Sequence, residues 1–187
     1  MIIGVGVVAL TGGPLVSPPE VLSGYKFAPV PVARLARAYA IESASYPADE
    51  AATEDKLRMR MEQASGFFWG AYDTSDNLQG FICGTLTTSE VLTDESMSEH
   101  EPKGKTLCIH SVVVDAALRR KGMAAWMLQC YLQKVGQGES APTKVLLICK
   151  ENLVGLYETA GFKNLGRSSV VHGQDPWNDM GLSFRVV

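Results

Sequence analysis

Arg119, Arg120 and Lys121 stand together in the run Leu118-Arg119-Arg120-Lys121-Gly122-Met123-Ala124, which follows an apolar stretch from Ile109 to Val114 and precedes a long helical pattern. A strand that turns through a basic, glycine-containing loop into a helix presents unpaired main-chain N–H groups and the positive end of a helix dipole to one anion. The run therefore reads as a phosphate cradle. It lacks the three glycines of a dinucleotide fingerprint and the Gly-Lys-Ser/Thr of a P-loop, so it points to a pyrophosphate of another kind.

The other reactive side chains narrow the chemistry by what they exclude. Cys83, Cys108, Cys130 and Cys149 show no Cys-x-x-Cys spacing and sit in apolar runs, as buried thiols of a reducing compartment do. The expected location is the cytoplasm. His100, His110 and His172 lie far apart and form no ligand pair at helical spacing, so no metal is expected. A net charge of −3 argues against a general nucleic-acid binder.

The chain that must position these groups has 187 residues, enough for one domain with a full core. Met1 to Val16 is apolar but lacks a basic start, breaks at Thr11-Gly12-Gly13-Pro14 and is too short to span a membrane. It reads as a flexible or strand-like extension on the surface, and no membrane association is expected. Ser17-Pro18-Pro19 is a linker, which divides the chain into an extension over 1–24 and a single domain over 25–187.

Within that domain, Tyr25 to Val30 alternates as a strand, and Pro31 suits a helix N-terminus ahead of Val32, Leu35, Ala36, Tyr39 and Ala40, with Pro47 as the stop. Thr53-Glu54-Asp55 opens a second helix that stops at Ser65-Gly66. Phe67 to Tyr72 and Leu78 to Leu86 form a hairpin around Asp73 to Asn77. A polar excursion from Thr87 to Lys105 follows, of a length that often covers a site. Leu107 to Val114 is the central strand, Met123 to Val135 a helix, and Lys144 to Cys149 a buried strand. Asn152 is expected to cap a last helix that ends at Gly161. Strands over Phe162 to Val171 and Met180 to Val187 complete the sheet.

Two motifs identify a family. Arg119, Gly122 and Ala124 satisfy Gln/Arg-x-x-Gly-x-Gly/Ala, and Asn152 to Phe162 (Asn-Leu-Val-Gly-Leu-Tyr-Glu-Thr-Ala-Gly-Phe) resembles the later motif of the same GNAT acetyltransferase superfamily. Both occur in order, with room between them for one helix and one strand. The stretch Leu92 to Gly104 resembles the arylalkylamine (serotonin) N-acetyltransferases, and Ile41 to Ala52 is similar to their non-vertebrate branch. The resemblance implies an α/β (α+β) GNAT fold: a mixed, mostly antiparallel sheet of about seven strands, splayed between two central parallel strands and flanked by about four helices. It also implies acetyl-CoA as co-substrate.

Residue roles follow from the resemblance. Val112, Val113 and Val114 would pair through their main chain with the pantetheine arm, while Arg119, Arg120, Lys121, Gly122, Met123 and Ala124 would hold the pyrophosphate, with Asn152 nearby. Tyr157 aligns with the tyrosine that protonates the CoA thiolate. Two family histidines fall at Cys108 and His110, so His110 is the expected base and Glu42 the alternative. Cys108 as a covalent carrier has no activating partner nearby, and direct transfer is preferred. Tyr46, Pro47, Phe67, Phe68 and Trp177 are candidates for the acceptor walls. The implied reaction acetylates a primary arylalkylamine such as serotonin or tryptamine in a ternary complex. A polyamine acceptor, for which Glu90, Asp94, Glu95 and Glu99 would supply acidic groups, and a catalytically silent CoA-binding module are the alternatives. Monomer and dimer are both compatible with the sequence.

Overall fold

The structure, a computed structural model, describes residues 6–8, 15–93, 96, 98–137 and 141–184. Among these, the strands are β1 (Gly6–Val8), β2 (Lys26–Pro29), β3 (Phe68–Tyr72), β4 (Leu78–Thr87), β5 (Thr106–Val114), β6 (Lys144–Cys149), β7 (Lys163–Arg167) and β8 (Asn178–Phe184). The helices are α1 (Leu35–Ser43), α2 (Glu54–Gln63), α3 (Met123–Val135) and α4 (Val154–Thr159). α3 and β6 have the bounds that periodicity and the unbroken apolar run predict. At the start of α2, Thr53 is extended and its hydroxyl accepts from the Lys56 amide at 3.3 Å, closing one of the free helix-end donors.

Two helix starts differ from expectation. Pro31 opens a short 3-10 turn over Val32–Arg34 rather than α1 itself, which begins at Leu35 and ends before the Pro47 ring would clash with it. Asn152 does not cap α4. It lies inside a 3-10 turn, Glu151–Leu153, and Leu153 is the capping residue, with no side-chain bond. The C-terminal end is as expected: Gly161 takes φ 96°, and the Phe162 amide returns to Tyr157 O at 3.1 Å.

The eight strands form one mixed sheet in the order β1-β8-β6-β5-β4-β3-β2, with β7 on the same edge of β8 as β1. The strand beyond the expected seven is β1, which pairs parallel to β8. β7 stops at Arg167, well short of Val171; Gly166 within it is left-handed, and a loop over 168–177 follows in which Gly173 is left-handed too. α1 and α2 cover one face around Phe68, Phe81 and Val113, while α3 and α4 pack on the other around Ile82, Leu107 and Met180. Leu22, ahead of the first predicted strand, is 1% exposed and joins the second of these cores.

Two irregularities in the central strands build the site. β5 and β6 pair in parallel only from Thr106 to Cys108 against Lys144 to Leu146, although β5 continues to Val114 and β6 to Cys149. The strands diverge beyond that point, so the free edge of β5 is left open. On its other edge, Ile109 faces Gly84 while Ser111 faces Cys83, which makes His110 the extra residue of a β-bulge.

Candidate active site

The divergence of β5 and β6 opens a cleft of about 820 Å³. Val112, Val113, Val114, Arg119, Arg120, Gly122, Met123, Ala124 and Asn152 all line it. At its base, Asp115 Oδ1 accepts from the Ala117 amide at 3.0 Å and sets a 3-10 turn over Ala116–Leu118. Arg120 (φ 63°) and Gly122 (φ 83°) then both take the left-handed conformation, the kind of backbone from which anion nests are built. A Cβ on Gly122 would lie 3.4 Å from Pro19, an ordinary contact, so it is the φ angle that calls for glycine. Trp126 donates to Gly122 O at 3.0 Å as the first helical amide of α3. The amides of Met123, Ala124 and Ala125 ahead of it have no carbonyl one turn back and are free for a ligand. Observed conformation and free donors thus fit a pyrophosphate.

Two of the basic residues behave differently from the sequence expectation. The Arg119 guanidinium donates to Val114 O at 3.2 Å, Ala44 O at 3.1 Å and Ser45 Oγ at 3.1 Å. It staples the cleft wall to the end of α1, because three acceptors from two segments meet one planar donor. Lys121 is exposed and does not line the cleft.

Tyr46, Val112 and Tyr157 wall both this cleft and a chamber of about 40 Å³ behind it. Tyr157 comes from α4 and is 6% exposed, its ring edge-on to Phe162 at 5.9 Å. Burial above all, with Tyr46 and Cys149 nearby, holds its hydroxyl well above the ordinary phenol value, so it stays protonated. The Tyr46 hydroxyl is raised by burial and by Glu42.

His110 lines that chamber and a second one of about 150 Å³, with Glu50 and His172 common to both. Its Nε2 is 2.7 Å from Thr85 Oγ1, and the same hydroxyl donates to Ser96 O at 3.1 Å. Giving the threonine proton to Ser96 O makes the imidazole the donor in the other contact and places its proton on Nε2. Nδ1, buried and without a partner, then carries the lone pair. Burial, reinforced by Arg60 and Lys56, depresses the pKa well below the ordinary histidine value, so the ring is neutral near pH 7.

Glu42, on α1, is 1% exposed. Its Oε1 accepts from the Ala52 amide at 3.0 Å and from Ser111 Oγ at 3.1 Å, while Oε2 has no partner. Burial raises its pKa against the pull of those bonds and of Arg60. It lines the larger chamber only. Trp177 lines the smaller one and donates through Nε1 to His172 O. Pro47 and Phe67 line neither chamber. Pro47 is exposed and accepts turn bonds from Glu50 and Ala51 through its carbonyl, and Phe67 packs 6.1 Å from His100. Phe68 is fully buried in the core against Phe81. Cys108 is fully buried, and burial pushes its thiol up to about 11, too high for a thiolate carrier.

Sequence reasoning missed Glu50 and Thr85. Glu50 stands beside Asp49 in a polar turn, and only its 7% exposure separates the two. Thr85 is one threonine of a strand, and nothing local shows that it meets a histidine 25 positions away. Of the acids suggested for a polyamine channel, Glu90 is exposed and paired with Lys144 at 2.8 Å, and Glu99 borders a separate hollow with Thr87 and Glu101. Asp94 and Glu95 lie outside the described residues.

Residues 35–182 match the Acetyltransferase (GNAT) domain family. Over 108 residues, 58% of this chain and 52% of the relative, the sequence is 33% identical to the serotonin N-acetyltransferase of Mesocricetus auratus. It is 30% identical over the same shares to that of Homo sapiens. The matched segment thus spans about half the length of these relatives. The structure of the GphF GNAT-like decarboxylase in complex with isobutyryl-CoA superposes with a TM-score of 0.73 at 15% identity, covering 84% of this chain and 98% of that one. A spermidine N-acetyltransferase SpeG chimera from Vibrio cholerae and hSSAT superposes at 0.57 with 13% identity, covering 86% and 96%. Both are likenesses of fold alone. The family match, the splayed central strands and the left-handed loop at the start of α3 agree, and the chain belongs to the GNAT acetyltransferase family.

Proposed function

We propose that this protein transfers an acetyl group directly from acetyl-CoA to a primary arylalkylamine such as serotonin or tryptamine. One observation carries the reading: the wall formed by Tyr46, Val112 and Tyr157 joins the cleft to a chamber lined by a neutral histidine whose Nδ1 is buried without a partner. The similarity to serotonin N-acetyltransferases adds the amine class. The four buried free cysteines suit a reducing compartment such as the cytoplasm, and no described helix is long and apolar enough to cross a membrane.

Acetyl-CoA supplies an activated acetyl thioester when bound. The amides around Arg120 and Gly122 and at the start of α3 hold the pyrophosphate, and the open edge of β5 at Val112 to Val114 pairs with the pantetheine as an added strand does. His110 Nδ1 accepts the amine proton. The Tyr157 hydroxyl, kept protonated by burial, donates to the departing sulfur. The smaller chamber, which His110 and Tyr157 both line, takes the aminoalkyl end. The ring lies in the larger chamber beside Ala51, Val170 and Val171.

A second reading, a polyamine acceptor, is favoured by the two buried carboxylates Glu42 and Glu50 in the larger chamber. Acetyl transfer to tryptamine, serotonin, spermidine and spermine separates the two by kcat/KM. If the protein binds acetyl-CoA yet acetylates none of these or a wider amine panel, both fail and the silent CoA-binding alternative stands. Parallel assays of His110→Gln and Glu42→Gln identify the base: the variant that loses more in kcat carries it.

A further inference from the structure

Lys150, the residue after β6, brings one ammonium to two carboxylates and a ring. Its Nζ lies 2.8 Å from Glu50 Oε1, 2.8 Å from Asp175 Oδ2 and 5.3 Å from the centroid of Trp177. Glu50 belongs to the turn between α1 and α2, while Asp175 and Trp177 belong to the loop between β7 and β8. One cation therefore ties together the two segments that wall the acceptor chambers. His172 Nε2 at 3.0 Å from Glu50 O is a second tie. Gly173, at φ 66°, comes so near that a Cβ there would lie 2.7 Å from Glu50 Cγ.

This clasp uses only half of the Glu50 carboxylate. The side chain is 3% exposed, Oε1 is held by Lys150, and Oε2 is buried without a partner. A buried charged acceptor left empty is costly, so a donor is expected there. Two other carboxylates have an unpartnered buried oxygen among the described residues: Glu42, which lines the larger chamber only, and Asp179, which lines neither. Glu50 alone of the three also borders the smaller chamber, with His110 and Tyr157, where the amine end belongs.

We propose that Glu50 is the carboxylate that reads the positive charge of the incoming amine, and that Lys150 is a positioning residue that holds Glu50 with its second oxygen toward the chambers. The proposal rests on those chambers being the acceptor site. It assigns the ligand class by charge: an amine arriving as its ammonium ion is received at Oε2, in the chambers that His110 also lines, and a neutral isostere is not.

The test is binding of tryptamine and of tryptophol, the neutral alcohol on the same skeleton, to the full chain saturated with CoA, measured by calorimetry. The unmodified protein should prefer tryptamine by tenfold or more. Glu50→Gln should cut that preference to within about twofold while leaving tryptophol and CoA affinities in place, as loss of a charge-assisted contact predicts. Lys150→Met should raise KM for tryptamine with kcat held, and Lys150→Arg should restore it. An unmodified protein that does not prefer tryptamine overturns the proposal, as does a Glu50→Gln variant that weakens both ligands equally. Should Glu50→Gln not fold, Glu50→Asp, which withdraws the oxygens by one methylene, must lower the preference, and an unchanged value overturns it. Absence of acetyl transfer with the charge preference intact overturns the functional reading instead.

Discussion

Replacing Thr85 by valine tests the geometry that makes His110 a base. Thr85 is fully buried, and its hydroxyl both accepts from His110 Nε2 at 2.7 Å and donates to Ser96 O at 3.1 Å. Valine keeps the shape and strands both partners. At ~1–3 kcal/mol per unsatisfied buried group, the lower end for two groups is about 2 kcal/mol of stability. For a chain of this size that corresponds to a fall in Tm of about 4–8 °C. The same loss penalises the tautomer with its proton on Nε2. A shift of ~1.4 kcal/mol changes the tautomer ratio about tenfold toward the form with a proton on Nδ1, which lowers kcat/KM by up to that factor. Thiol release from acetyl-CoA with saturating amine at pH 7.5 reads this, beside thermal unfolding of the same preparations. Thr85→Ser should keep most of the activity. If Thr85→Val unfolds at the lower temperature but turns over within twofold of the unmodified protein, Thr85 is a packing residue and the tautomer argument is wrong.

Other consequences follow from the same site. Tyr157→Phe should lower kcat by ~10²-fold or more, as loss of a general acid does, with acetyl-CoA affinity retained by calorimetry. Stability should also depend on His110. Its folded pKa is depressed, so below the ordinary histidine value the unfolded chain binds a proton that the folded chain refuses, and stability falls as pH drops through that window while staying level above it. Urea unfolding from pH 5 to 8 should show that slope, and His110→Gln should reduce it, the remainder coming from His100, whose pKa burial also lowers. Gly122→Ala meets only an ordinary contact with Pro19 but must hold φ 83°. It should cost ~1–2 kcal/mol and weaken acetyl-CoA binding, and an unchanged CoA affinity would remove this loop from the cofactor site. Cys108→Ala should remain active, with no acetyl group trapped on the protein by rapid quench and mass spectrometry.

Local signals in the chain were enough for much of the fold. α3 repeats its buried residues at a helical period and β6 carries an unbroken apolar run from Val145 to Cys149, so short-range physics sets their bounds. The basic loop before α3 is likewise visible, because a strand, a glycine and a helix start are consecutive in sequence. Its conformation was only half legible. Gly122 announced a left-handed residue, but the matching φ of 63° at Arg120 depends on the turn that Asp115 organises.

The tertiary structure decided what each reactive group does. Arg119 looks like a phosphate ligand in sequence, yet its donors are taken by Val114, Ala44 and Ser45, the last two more than 70 positions away. Glu50 and Asp49 are adjacent acids, and burial against Lys150 and Gly173 separates them. His110 gains its role from a one-residue slip between β4 and β5 and from a hydroxyl on the neighbouring strand. Sequence by itself determined α3, β6, the basic loop and the family, because those are written in spacings along the chain. Protonation states, the open edge of β5 and the clasp around the acceptor chambers arise from dielectric and donor–acceptor matching between distant segments, which only folding brings together.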